Sequence, residues 1–107
     1  LDLLLHDALS VPTVTALSEA LGAAERPRQS KIVADVLDYH ASTDALIELG
    51  EQSNVDMVAF YHLVPVPLNG VLEEVFKRGM PDNFLLAKDL MWFDLPIDSD
   101  EIIVNGP

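Results

Sequence analysis

The 107-residue chain contains no cysteine. Disulfides and thiolate metal ligands are therefore excluded, and any metal must be held by His, Asp, Glu or water. The redox compartment stays open on that count. Positive charge is scarce: 6 Lys and Arg stand against 18 Asp and Glu, a formal net charge of −12. Such a surface repels polyanions, which argues against nucleic acid, and against an anionic membrane surface, as partners of this chain alone. The one basic cluster, Arg26, Arg28 and Lys31, is too small for a phosphate-binding face and reads as a solvated loop and helix start. No apolar run approaches the roughly 20 residues of a membrane span. Leu1 to Leu5 lack the basic flank and the length of a signal peptide. Internal repeats, low-complexity tracts and long linkers are also missing, so residues 1–107 are read as one unit.

Half of the residues are hydrophobic, enough for one compact domain with a modest core. The chain opens without Met, directly on Leu1, Leu3, Leu4 and Leu5. This stretch is expected to be a buried strand with neighbours on both sides, ended by His6-Asp7, and the chain to be cut from something longer. Val14, Leu17 and Leu21 recur at helical spacing up to Gly22, and Pro27 follows, a pattern that predicts a first helix. Ile32, Val33, Val36 and Leu37 predict a second, over residues 28–37, with one apolar face. Ser42 and Thr43 are cap candidates for a third helix, with Asp44 at the positive end of its dipole and Gly50 or Asn54 at its end. Residues 55–61 predict a second buried strand, stopped by the prolines at 65 and 67. Asn69-Gly70 opens a fourth helix carrying Val71, Leu72, Val75 and Phe76. Short strands at residues 84–87 and 91–95, extended at 102–104, finish a chain whose alternation of strands and helices places it in the α/β class.

The chain has three histidines, and each stands at the end of a regular element, where the backbone is fixed and the side chain can face a cleft. His6 and His62 end the two predicted strands, and His40 lies between two helices. Tyr39 and Tyr61 flank two of them and read equally as core packing or substrate contacts. Trp92 and Phe93 read as sheet packing, and Asp38 as a helix-end or loop carboxylate.

Three ordered segments extend this reading: Leu3-Leu4-Leu5-His6-Asp7-Ala8-Leu9, then Asp38-Tyr39-His40-Ala41-Ser42-Thr43, then Val55-Asp56-Met57-Val58-Ala59-Phe60-Tyr61-His62-Leu63-Val64-Pro65. Their order and content resemble the C-terminal half of a metallo-β-lactamase-fold hydrolase, of the branch that includes ribonuclease Z and arylsulfatase-like enzymes. Asp89-Leu90-Met91-Trp92-Phe93-Asp94-Leu95-Pro96 resembles the hairpin that closes those enzymes, with residues 84–95 as its strand pair. The resemblance covers nearly the whole chain. It implies the C-terminal half of a four-layer αβ/βα sandwich, with the N-terminal half absent.

For the site, the resemblance implies that His62 is a metal ligand, most naturally to Zn²⁺. His40 and Asp7 are then the catalytic pair, His40 protonating the leaving oxygen and Asp7 accepting its hydrogen bond and favouring the charged ring. Asp7 stands where the family has Glu, and Ala41 is an extra residue in the His-Ser-Thr pattern. His6 and Tyr61 are possible additional site residues. The implied chemistry is cleavage of an ester-type bond, in a phosphodiester, sulfate ester or lactone, by a hydroxide bound to two zinc ions. The His-x-His-x-Asp-His run that supplies most of the family's ligands does not occur here. On sequence this chain offers one ligand where a zinc site needs three or four. It is expected to be inactive alone and to need the missing N-terminal half, or a second copy, to cover its sheet. The alternative is a small acidic α/β protein-interaction module without catalysis. The two readings part on whether Asp7, His40 and His62 meet in space.

Overall fold

The computed structural model describes residues 2–106 and is a mixed α/β arrangement. Strand β1 (Leu3–Leu9) is followed by helices α1 (Val11–Ala23) and α2 (Pro27–Asp35), a 3-10 turn (Val36–Asp38) and helix α3 (Thr43–Ser53). Strand β2 (Met57–Val64), helix α4 (Gly70–Phe76) and strand β3 (Phe84–Leu86) come next, and strands β4 (Trp92–Asp94) and β5 (Ile103–Asn105) close the chain.

Three of the four α-helices start on a short polar side chain, at Ser42 and Asn69 as the sequence predicts, while α2 starts at Arg26 with no side-chain cap. Ser10 accepts from the Thr13 amide at 3.4 Å, Ser42 from the Ala45 amide at 3.2 Å, and Asn69 from the Leu72 amide at 2.9 Å. Each bond satisfies an amide that the first helical turn leaves without a partner. Asn54 ends α3 in the left-handed region, at φ 53°, which Asn tolerates better than most residues. Gly50 lies inside α3 instead of ending it.

β1, β2 and β3 form a parallel sheet in that order. Parallel neighbours need crossover connections, and the two helical segments, α1–α3 and α4, supply them. β2 is central, and Val58, Ala59 and Phe60 on it are fully buried. The core packs Ala8, Val58, Phe60, Phe84 and Leu86 of the sheet with Leu46, Val55 and Phe76. Phe60 and Phe84 meet edge to face, centroids 5.7 Å apart at 81°, the geometry aromatic quadrupoles favour.

The close approach of α3 to β3 explains Gly50. A Cβ there would sit 2.5 Å from Cζ and 3.1 Å from Cε1 of Phe84, and that ring is held by Phe60. Gly50→Ala is expected to lose about 1–2 kcal/mol net by urea unfolding, overpacking outweighing the better helix propensity of Ala. A variant as stable as the parent would show that the ring yields freely.

Four expectations are corrected. β1 does not end at His6-Asp7 but carries both inside it, and among the described residues it lies at the sheet's edge, with β2 on one side and only the Leu9–Ser42 bridge on the other. Its apolar run fits an edge as well as an interior, because hydrophobicity does not count neighbours. Leu1, placed in this strand from sequence, lies outside the described residues. The second corrected element is α2, where Ile32 is 57% exposed because the helix packs mainly on α1, stitched by reciprocal Ser18–Ser30 hydrogen bonds of 2.7 and 2.9 Å. Third, the segments at 84–87 and 91–95 do not pair with each other. β3 joins the main sheet, and β4 pairs antiparallel with β5. Fourth, Trp92 is 56% exposed on that hairpin instead of packing into the main sheet.

Candidate metal centre

The C-terminal ends of β1 and β2 lie side by side, the edge of a parallel sheet where ligand sites concentrate. Two local irregularities bring the polar residues together there. From His6↔Phe60 the register moves to Ala8↔Leu63, so Asp7 alone on β1 faces both Tyr61 and His62 on β2. This bulge breaks the strict alternation of faces and lets His62 stand beside Asp7. The second is a bridge from Leu9 to Ser42, with the Leu9 amide donating to the Ala41 carbonyl at 2.8 Å. It ties the start of α3 to the end of β1 and brings His40, just before it, alongside Asp7.

Asp7 is the hub. Its Oδ2 is 2.8 Å from His40 Nδ1, and its Oδ1 is 2.9 Å from His6 Nδ1. His6 Nδ1 is also 2.8 Å from the Asp7 carbonyl oxygen. The His40 and His62 rings lie 5.7 Å apart between centroids, tilted by 39°. One ligand atom each from Asp7, His40 and His62 falls within 4.8 Å of the others. The three residues singled out for metal and acid–base roles thus converge. His6 joins them through Asp7. Tyr61, half exposed, lines a cleft of about 350 Å³ next to His62, with Val66, Pro67, Lys88 and Asp89 among its walls.

The hydrogen bond from His40 holds the Asp7 carboxyl below its ordinary 3.8, against an opposing push from burial and with help from the charge of His6. A carboxyl lowered on folding adds stability that is fully present above the ordinary value and is lost as pH falls through the lowered one. The Asp7 carboxyl carbon, followed by NMR, is expected to titrate below 3.8 and to return toward it in His40→Ala. A midpoint at or above the ordinary value would contradict the bond.

Lys88 and Asp89 were not singled out from sequence. No local signal marked them: they reach this edge because they follow β3, whose parallel register and Ala87 amide bond to the Phe60 carbonyl at 2.8 Å carry the chain there.

Two imidazoles and a carboxylate, partly open to solvent, are a donor set that fits a divalent metal with nitrogen and oxygen preference. Comparison with family models, curated proteins and solved structures finds no match to this chain.

Proposed function

We propose that this chain is the C-terminal portion of a metal-dependent hydrolase of the metallo-β-lactamase fold, cleaving an ester-type bond once the other half of the domain is in place. The observation that carries the reading is the 2.8 Å Asp7–His40 hydrogen bond beside His62 at the C-terminal edge of a parallel sheet. The interaction-module alternative gives no reason for these residues to meet.

In this reading His62 contributes one ligand to a pair of zinc ions completed by the other half. The ions, when bound, supply Lewis acidity and activate water. Asp7 Oδ2 accepts from His40 Nδ1 and fixes the ring, which leaves Nε2 as the nitrogen that hands a proton to the leaving oxygen. The open edge of β1 is where further strands of the complete sheet would pair. The cleft beside His62 is of the size that takes a small ester.

The test is native mass spectrometry of the protein as it occurs in its own cells, followed by hydrolysis assays. The expected result is this chain joined to a polypeptide bearing a His-x-His-x-Asp-His run, with two zinc-mass ions and chelator-sensitive hydrolysis of a phosphodiester, sulfate ester or lactone. An 11.7 kDa species without that partner, inert on all three whatever ion it carries, would overturn the reading.

A further inference from the structure

We infer that this chain, with no second polypeptide, holds one divalent transition-metal ion between Asp7, His40 and His62. The sequence alone offers a single ligand, His62. The fold changes that count to three, because the bulge in β2 and the Leu9–Ser42 bridge bring the other two beside it.

The distances come close to those around an ion. Neighbouring ligands at the tetrahedral angle around zinc, with bonds of about 2.0 Å, stand about 3.3 Å apart. Asp7 Oδ2 and His40 Nδ1 are 2.8 Å apart, so an ion between them requires these atoms to part by about half an ångström. The ion takes the place of the hydrogen these two atoms share, and that hydrogen leaves to solvent. His62 supplies the third corner from within 4.8 Å. Two imidazoles bound to one ion at such lengths have ring centroids about 5–6 Å apart, and the observed spacing is 5.7 Å.

The surroundings favour a cation as well. Asp7 and His40 side chains are each 26% exposed, open enough for an ion to enter and sheltered enough for the carboxylate to count. Lys88, on the cleft next to His62, is drawn toward Glu73, its Nζ 3.8 Å from the carboxylate. The net charge of −12 raises the local concentration of cations. His6 holds the far oxygen of Asp7 at 2.9 Å, which steadies the carboxylate without occupying the oxygen that faces His40.

This inference goes beyond the hydrolase reading and concerns the chain alone: an ion between Asp7 Oδ2 and His40 Nδ1 displaces the hydrogen bond on which that reading rests, so the two describe different states of the site and either can fail without the other. The test is calorimetric titration of the 107-residue chain with Zn²⁺ and with Co²⁺, the latter also followed by its visible absorption. One equivalent is expected to bind. Asp7→Ala, His40→Ala and His62→Ala are each expected to weaken binding at least roughly tenfold, while joint replacement of Asp98, Asp100 and Glu101 by their amides leaves it nearly unchanged. Imidazole nitrogen NMR of the unsubstituted chain covers the case in which a variant fails to fold. There, Zn²⁺ is expected to shift ring nitrogens of both His40 and His62. No saturable binding, binding that survives loss of either histidine, or unshifted His40 and His62 nitrogens would overturn the inference.

Discussion

Phe60→Ala is expected to lower the unfolding free energy by about 3–5 kcal/mol, the cost of removing a large aromatic from a packed core and leaving a cavity. Phe60 is fully buried at the middle of the central strand and is the edge-to-face partner of Phe84. Single domains are stable by about 5–15 kcal/mol in total, so this one change removes a large share of the margin. Urea unfolding checks it: the midpoint should fall steeply with the slope little changed. Tyr61→Ala is the control on the neighbouring residue. Its ring is 52% exposed, and the expected change is within about 0.5–1 kcal/mol. Similar losses at the two positions would show that β2 is not the centre of the core. The consequence reaches the site, because Phe60 is opposite His6 in register and two residues before His62. Loosening that strand frees the bulge that keeps His62 beside Asp7.

The local elements were legible because their signals are local. Ser42 and Asn69 cap helices by side-chain bonds to amides three residues on, and Asn54 stops one with its own backbone, so composition and spacing suffice to predict them. β2 was legible as an apolar run, but its length was not, since the strand continues through His62 to Val64. The edge position of β1, the pairing of β4 with β5 and the exposure of Ile32 depend on what packs against each element, which a pattern along one chain does not encode. The site divides the same way. The three histidines could be picked out, but both strands run on past the His6 and His62 that were expected to end them, and what lies beside each could not be read. The counting of one ligand where three converge follows from that, because the bulge at Tyr61-His62 and the Leu9–Ser42 bridge are register facts and leave no mark in composition. Gly50 shows the limit from another side: it looked like a helix stop and is instead the space for the Phe84 ring.

The hydrolase reading makes its sharpest demand on Asp7. In the complete domain, Asp7→Asn is expected to reduce kcat on a phosphodiester by roughly 10²–10⁴-fold, the range associated with loss of positioned acid–base help, with little change in KM. Asn has nearly the same shape, and the Asp7 side chain is 26% exposed, so folding should be nearly untouched and the loss attributable to His40. The amide carries no charge, and its NH₂ group can face Nδ1 as readily as its oxygen can. Either change leaves His40 poorly oriented for donating from Nε2. Asp7 is thus a positioning residue acting through His40, and a double-variant comparison isolates that role. His40→Ala should cost about as much as Asp7→Asn, and the two together should cost little more than either, since residues acting as one unit are far from additive. Rescue separates positioning from packing: Asp7→Glu, which keeps a carboxylate to accept from His40 Nδ1, should recover part of the activity that Asp7→Asn loses. Activity within about twofold of the parent in Asp7→Asn, or losses that multiply in the double variant, would break the link between the pair and the chemistry. The Asp7–His40 bond would then stand as a structural tie between β1 and the start of α3.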